Sequence, residues 1–410
     1  MDYLNDMKVI AGGVCAAKGF TAAGIHCGFR YDADKKDLAL IVSDAPCSAA
    51  AVYTQNKVKG APIAVTKRNI ADGSAQAIIC NSGNANTCAP GGEKLAEDTC
   101  AITAKALGLA PEDIVVCSTG VIGEEMSIEP FVEGVPKAAA LLAEAGSDDA
   151  AAAIMTTDTV SKSIAIEFSC GGKTCRIGGI AKGSGMIDPN MATMLSFITT
   201  DAAIAPQMLQ QALSEDIRTS FNQICVDGDT STNDMVVVLA NAKAGNQLIE
   251  EDCDAYRAFQ TALSDVTRYL AKQLARDGEG ATKLIECNVY GASDEETARR
   301  ISKTVISSNL LKAAIFGSDA NWGRVLCAIG YTPGDFSVEN IDVRMSSAAG
   351  SVFVCEASKH REYSEEEASK ILSEKEISID IDMHSGESEG TAWGCDLTYE
   401  YVQINGDYRS

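Results

Sequence analysis

The scarcity of histidine limits the chemistry that this sequence can support. His26, His360 and His384 occur in unrelated surroundings, and none belongs to a metal-protease or deaminase motif. We therefore expect an enzyme built from this chain to use a general base other than histidine. A serine, threonine or cysteine at the start of a chain has such a base in its own α-amino group, whose pKa of roughly 7.7–8.0 lies near neutral pH.

One segment could place such a nucleophile at a new chain start. Asp188-Pro-Asn-Met-Ala-Thr193 joins a rigid proline and two turn-forming side chains to a small residue followed by threonine. A hydroxyl in a strained turn can attack the preceding carbonyl, so a cut between Ala192 and Thr193 would leave Thr193 with a free amine. An ordinary threonine at the start of a strand remains the competing interpretation of the same residues.

Polar loops rich in Gly, Ser, Thr and Asn form the second chemical signal. They occupy residues 81–86, 117–123, 155–159, 181–195, 226–234 and 277–281. Taken singly, such a loop is by default a tight turn, and no loop matches a phosphate-binding glycine motif. Together they indicate a site built from backbone N–H groups and hydroxyls.

Short apolar runs and helical spacings alternate along the chain and must position these loops. Strand-length runs lie at 38–42, 63–66, 77–80, 114–117, 164–168 and 235–239. Helical spacings lie at 94–107, 135–145, 206–221 and 253–274, and the Ala- and Asp-rich stretch 147–153 has the composition of a surface connection. After about residue 286 we expect strands at 287–290, 341–344, 352–356, 377–381 and 397–404, with helices over 293–311 and 364–372.

This alternation predicts a mixed α/β (α+β) fold, with layered sheets flanked by helices. We expect a larger catalytic domain over residues 1–285 and a smaller C-terminal α/β domain over residues 286–410 that completes the substrate site.

Composition excludes several classes of partner. The net charge of −23, from 57 acidic and 34 basic residues, disfavours nucleic acid and anionic membranes. Fifteen cysteines without a C-x-x-C pair indicate buried thiols in a reducing compartment, so we expect the cytoplasm.

Asp227 and Asp229 lack the further ligands of a calcium loop, and we expect no metal. Trp322 and Trp393 could be substrate walls or aromatic anchors.

Blocks spread over nearly the whole chain resemble one family. Lys182-Gly-Ser-Gly-Met-Ile-Asp-Pro-Asn-Met-Ala-Thr-Met-Leu195 is similar to the processing motif of the ornithine acetyltransferase (glutamate N-acetyltransferase) family of arginine biosynthesis. Further similar blocks follow the family order at 19–24, 81–86, 118–123, 220–222 with 226–234, 316–324, and 391–397 with 404–410. The departures are Ser184, where the family has alanine or serine, and Ser410, where it often has threonine, and both substitutes are similar in size.

The resemblance implies an N-acetyltransferase that moves acetyl from N-acetylornithine to glutamate through an acetyl-threonine. It implies autocatalytic cleavage into fragments α (1–192) and β (193–410), which stay together and pair into a heterotetramer. The substrates are small molecules and no bound cofactor is expected. A multifunctional member of the family would also accept acetyl-CoA as a donor. The residues of this sequence do not decide whether it does.

The resemblance also implies roles for particular residues. Thr119 and Gly120 would form the oxyanion hole beside the nucleophile Thr193. The substrate-binding residues would be Thr156, Lys182, Thr193, Glu279, Asn405 and Ser410. The position of Lys182 suits an α-carboxylate, and that of Glu279 suits an amine.

The main alternative is an aminopeptidase or amidohydrolase of related architecture with an N-terminal nucleophile. Both enzymes would use Thr193 and the same oxyanion donors. They differ in whether glutamate or water accepts the acyl group.

Overall fold

A computed structural model describes residues 8–188 and 194–407 of this chain. The predicted cleavage site at Ala192 and Thr193 and the predicted substrate residue Ser410 lie outside the described residues. No helix within the described residues is both long enough and apolar enough to cross a membrane.

Sixteen strands occur in the described part of the chain. They are β1 (Lys8–Ile10), β2 (Phe20–Ile25), β3 (Leu38–Tyr53), β4 (Ser74–Asn84), β5 (Ile114–Val121), β6 (Lys162–Cys170), β7 (Lys173–Lys182), β8 (Leu195–Thr200), β9 (Ile224–Cys225), β10 (Met235–Ala240), β11 (Leu284–Ala292), β12 (Asp342–Ser347), β13 (Gly350–Glu356), β14 (Lys359–His360), β15 (Glu376–Asp382) and β16 (Ser388–Cys395).

Eleven α-helices occur in the same residues. They are α1 (Ala61–Asn69), α2 (Gly92–Leu107), α3 (Glu129–Ala140), α4 (Ser147–Ile154), α5 (Pro206–Asp216), α6 (Asp254–Arg276), α7 (Glu295–Ser307), α8 (Asn309–Phe316), α9 (Trp322–Gly330), α10 (Glu365–Leu372) and α11 (Tyr399–Gly406). The expected mixed α+β class is confirmed.

The elements form two compact units. The described residues of the first unit lie within Met1–Gly183, Pro189–Phe221 and Thr230–Leu270, and those of the second within Ser184–Asp188, Asn222–Asp229 and Ala271–Ser410. The chain therefore passes between units several times. The predicted domains met at a single boundary, between residues 285 and 286, and that boundary stays a prediction.

The first unit contains a nine-stranded sheet, in the order β1-β6-β7-β8-β10-β3-β4-β5, with β2 paired to β3. The pairs β8–β10 and β4–β5 are parallel, and the other pairs are antiparallel. Successive residues such as Leu40 and Ile41 belong to different core clusters, because side chains alternate between the faces of a strand. Every residue of β8 and β10 is buried, as expected for central strands covered on both faces.

The second unit contains a seven-stranded sheet, in the order β14-β13-β12-β15-β11-β16-β9. Helices α7 and α10 pack on this sheet, and Val289, Ile301 and Ile379 are fully buried in its core. Trp393 is also buried, and its indole N–H donates to the Glu286 carboxylate over 2.9 Å.

Two predicted elements of the first unit are wrong. Residues 63–66 are not a strand but the middle of α1, where Pro62 occupies the first turn, a position in which its missing N–H is harmless. Residues 147–153 are not a surface connection but the buried helix α4, which packs on β2 and β3. Its small alanines allow that close approach, and a side chain at Gly24 would collide with the carbonyl of Asp149.

Two predictions in the second unit also fail. Residues 397–404 do not form a strand, because Thr398 caps helix α11 by accepting the N–H of Tyr401 over 3.3 Å. The helix predicted over 293–311 divides at Ser308, whose extended backbone and hydroxyl cap start α8.

Candidate active site

The predicted oxyanion-hole residues lie near the carboxyl end of β5, which runs parallel to β4. Thr119 and Gly120 pair with Ser82 and Gly83, and the regular register breaks at Asn84. Gly120 has φ 130°, and a Cβ there would lie 2.6 Å from the Asn84 nitrogen and would collide with Gly83. Only glycine allows the two backbones to approach this closely.

Lys182, at the end of β7, reaches the same strand. Its side chain is 8% exposed, and Nζ donates to the Thr119 hydroxyl over 3.4 Å. Lys182 pairs with Leu195, the first residue of β8, so it lies opposite the strand that follows the predicted cleavage site. The first unit therefore brings together Lys182, Thr119 and the start of β8.

Asp158 forms a buried junction beside Lys182. Its side chain accepts hydrogen bonds from Lys162 Nζ over 2.7 Å and from the Gly183 N–H over 2.6 Å. Burial alone would raise the pKa of this carboxyl, but Lys182 and Lys162 outweigh burial and lower the pKa to about 2. Asp158 is therefore an anion at neutral pH.

Thr156 is held on two sides. Its N–H donates to Asp158 Oδ2 over 3.1 Å, and its carbonyl accepts from Arg30 Nη2 over 3.0 Å. Arg30 is positioned in turn by Asp37, which is fully buried and accepts the N–H groups of Cys27, Gly28 and Arg30 over 2.7–3.1 Å. The backbone of Thr156 is therefore fixed by charged groups at both ends.

Asp234 precedes β10 and is 3% exposed. Burial raises the pKa of its carboxyl well above the usual range, against the smaller opposite effects of Ser231 and Lys182. Oδ2 has no hydrogen-bond partner among the described residues. The next N–H, that of Met235, donates to the carbonyl of Met194, the residue after Thr193 in the sequence.

The second unit brings together two other predicted substrate residues. Asn405 Nδ2, on α11, donates to the Glu279 carboxylate over 2.8 Å. The Glu279 N–H donates to the carbonyl of Ser184 over 2.9 Å, and a Cβ on Gly185 would collide with the Glu279 carboxylate. Glycine at 185 therefore lets the carboxylate lie directly against the backbone.

The segment Ser184–Asp188 is anchored within the second unit. Asp227 accepts the N–H groups of Met186 over 2.6 Å and Ile187 over 2.9 Å, and the Ile187 carbonyl accepts from Val226. Asp188 pairs with Lys303 Nζ over 2.9 Å. The segment 184–188, which ends four residues before the predicted scissile bond, is thus held by hydrogen bonds and an ion pair.

The sequence identified Thr119, Gly120, Thr156, Lys182, Glu279 and Asn405, and the structure places the first four in one unit and the last two in the other. Sequence reasoning missed Asp158, Lys162, Arg30 and Asp37. The polar stretch 155–159 contains Asp158, and its spacing of four residues to Lys162 was the available signal. Within residues 8–188 and 194–407 no three His, Cys, Asp or Glu side chains cluster as a metal site.

One known protein family matches nearly the whole chain. The sequence model of the ArgJ family matches residues 21–410. The chain belongs to the ArgJ family. This confirms the resemblance inferred from the motif blocks, and with it the assignment of the chain as an N-acetyltransferase of arginine biosynthesis.

Individual relatives agree with the family match. The chain is similar to the arginine biosynthesis bifunctional protein ArgJ of Symbiobacterium thermophilum, with 50% identity over 98% of this chain and 100% of that protein. The protein of the same name from Caldanaerobacter subterraneus subsp. tengcongensis is 47% identical, with 98% and 100% coverage. The crystal structure of the Bacillus halodurans protein of that name has 47% identity and a TM-score of 0.50, and covers 53% of this chain and 100% of its own.

Proposed function

We propose that the chain moves acetyl from N-acetylornithine to glutamate through an ester on Thr193. The observation that carries this proposal is the buried Lys182 beside Thr119, which offers a cation to an amino-acid carboxylate at the end of β7. Both substrates carry an α-carboxylate, so one lysine can recognise both. A charge-assisted contact in a protected site is stronger than a neutral hydrogen bond.

The proposed reaction has two half-reactions. The Thr193 hydroxyl attacks the acetyl carbon of N-acetylornithine, and the α-amine of Thr193 takes the hydroxyl proton. The oxyanion accepts hydrogen bonds at Thr119 and Gly120, and the C–N bond breaks as the proton passes to the leaving ornithine amine. Glutamate then attacks the ester through its amine, which restores the Thr193 hydroxyl and releases N-acetylglutamate. In the second unit we assign Glu279, with Asn405, to an amine, and we assign Ser410 and Thr156 to substrate.

We also propose that the chain cuts itself between Ala192 and Thr193. The Thr193 hydroxyl attacks the Ala192 carbonyl, and the C–N bond breaks to give an ester and the free α-amine of Thr193. Water then hydrolyses the ester, which releases the Ala192 carboxylate and restores the Thr193 hydroxyl. A fragment 193–410 would contain 218 residues (410 − 192 = 218), or about 53% of the chain. The crystallised Bacillus halodurans chain is matched over its whole length by 53% of this chain, which supports a cut at this point.

The finer assignments concern the donor, the assembly and the compartment. We propose that acetyl-CoA, where it donates, acts as a substrate that acylates Thr193, and that no cofactor or metal is held. The relatives are named bifunctional proteins of arginine biosynthesis, which supports a second donor. We propose a dimer of αβ units. We also propose the cytoplasm as its compartment, since all fifteen cysteines are free thiols.

Thr193 provides the decisive test, because one hydroxyl has two roles. Thr193→Ala should run as one 43.0 kDa chain on a denaturing gel and form no N-acetylglutamate, whereas Thr193→Ser should still be cut and retain reduced transfer. The wild type should show ping-pong kinetics with N-acetylornithine and glutamate. A Thr193→Ala protein that is cleaved, or that transfers acetyl at the wild-type rate, contradicts the proposal.

The same assay separates transfer from hydrolysis. N-acetylornithine and acetyl-CoA are offered separately, each with and without glutamate. We expect N-acetylglutamate to account for the acetyl lost from the donor. Release of free acetate at the same rate with and without glutamate would identify an amidohydrolase instead.

A further inference from the structure

Asp158 and Lys162 form an ion pair that is almost completely withdrawn from solvent. Their side chains are 0% and 1% exposed, and Lys162 Nζ lies 2.7 Å from Asp158 Oδ1. Removing two charges from water is costly, and apolar residues of similar size are often as stable. The pair therefore calls for an explanation beyond the stability of the fold.

The contacts of Asp158 point to the substrate residues. Its Oδ2 accepts the N–H of Thr156 over 3.1 Å, and Oδ1 accepts the N–H of Gly183, the residue after Lys182, over 2.6 Å. Gly183 has φ 149°, a backbone conformation that favours glycine. One carboxylate thus joins the loop of Thr156 to the end of β7, from which Lys182 extends.

The charges of Asp158, Lys162 and Lys182 do not sum to zero. Asp158 carries −1, and Lys162 and Lys182 carry +1 each, which leaves a net charge of +1. Burial raises the pKa of the nearby Asp234 carboxyl, which favours its neutral form and so opposes a further negative charge in this sum. Without Lys162 the sum would be zero, and Asp158 would compete with the substrate carboxylate for Lys182.

We propose that Asp158 and Lys162 are positioning residues for the acetyl transfer: Asp158 fixes Thr156 and Lys182, and Lys162 neutralises Asp158 so that the charge of Lys182 is left for the substrate carboxylate. The inference rests on the proposed function, since it assumes that Lys182 binds that group.

The test removes the charges separately and together. Lys162→Met should raise KM for both N-acetylornithine and glutamate by about 10-fold or more, the loss expected for one charge-assisted contact, with a smaller change in kcat. Adding Asp158→Asn to Lys162→Met restores the net charge of +1. We therefore expect KM of the double variant to fall below that of Lys162→Met. It should stay above the wild-type value, because asparagine keeps an acceptor for only one of the Thr156 and Gly183 N–H groups.

Three references control this comparison. Asp216→Asn makes the same change at another buried aspartate, whose carboxylate accepts from Ser220 rather than from the Thr156 or Gly183 N–H, and KM should not change. Lys162→Arg keeps the charge and should stay near the wild-type KM. Titration calorimetry with ornithine gives the same comparison without turnover. If Lys162→Met fails to fold, KM of the double variant alone decides, and a rise of tens of fold overturns the proposal.

Lys182→Ala separates this inference from the function on which it rests. If Lys182→Ala raises KM for both substrates while Lys162→Met leaves them unchanged, or if the two changes in the double variant add, only the positioning role is overturned. If Lys182→Ala leaves both KM values unchanged, the carboxylate role of Lys182 fails and the inference fails with it.

Discussion

Two single residues in the described structure hold costly states, one of the backbone and one of a buried carboxyl. Gly120 has φ 130° and lies against the backbone of Gly83 and Asn84. Asp234 keeps a buried carboxyl with an unpartnered oxygen beside the strand that follows Thr193. Each feature costs stability that the rest of the fold must offset, and each can be tested by a change of one residue.

Gly120→Ala tests the close approach of β4 and β5. The added Cβ meets strained φ and a neighbouring backbone, so we expect a loss of about 2–4 kcal/mol in the free energy of unfolding and a fall in kcat/KM. Gly123→Ala is the matched control, because Gly123 also has positive φ (82°) but open space around its Cβ, so it should cost about 1 kcal/mol. Urea denaturation gives both values, and equal losses would contradict the collision.

Asp234→Asn tests the buried carboxyl through pH. The folded state raises the pKa of Asp234, so the wild type loses stability as pH rises above the unfolded value of about 3.9 until it passes the folded pKa. The asparagine variant does not pay this cost. We expect its melting temperature to exceed that of the wild type by a margin that grows as the pH rises above about 4. A margin that is independent of pH would show that Asp234 is not buried as a neutral acid.

At the scale of elements, Ser184–Asp188 leads into the predicted cleavage site and is anchored by Asp227 through two backbone N–H groups. Asn can accept only one of these bonds and presents an amide N–H in place of the other acceptor. Asp227→Asn should therefore slow cleavage of newly made precursor several-fold, followed on denaturing gels. Asp229→Asn is the control, because Asp229 donates to Asp227 through its backbone N–H, which the substitution keeps. Equal cleavage rates in the two variants would show that the anchor is irrelevant.

Elements could be predicted where one local signal dominated. The strand runs at 38–42, 77–80, 114–117 and 235–239 lie inside β3, β4, β5 and β10, because each is an apolar run bounded by turn residues. Four-residue runs such as 63–66 fit a buried helix equally well, and there periodicity cannot decide. The Ala-rich α4 and the capped α11 required weighing helix propensity and capping above polarity.

The predicted site residues, such as Lys182 and Glu279, came from the resemblance of their motifs to those of the family. Asp158, Lys162 and Asp37 could not be predicted, because their roles depend on burial and on hydrogen bonds to backbone groups far along the chain. Asp158, for example, accepts from Gly183, 25 residues later. In a chain with a net charge of −23, charge alone does not distinguish one aspartate from the others.

At the scale of the whole molecule, the nine-stranded sheet combines both proposed fragments. Strands β8 and β10 belong to fragment 193–410 and lie between β7 and β3 of fragment 1–192. Six residue pairs join β7 to β8, and six join β10 to β3. We therefore expect cleaved protein to elute from gel filtration as one species containing both fragments, at the same volume as uncut Thr193→Ala. Separate elution of either fragment would contradict this.

The same arrangement of strands makes refolding of the proposed cleaved protein different from folding of the uncut chain. The uncut chain folds in a first-order process that does not depend on concentration. If the chain is cut as proposed, recovery from denaturant would require two polypeptides to meet, because each lacks strands that the other needs. The yield should then fall on dilution, and unmatched fragments should aggregate. The cleaved protein would then be stabilised kinetically, because its lifetime depends on a high barrier to unfolding and not on its ability to refold.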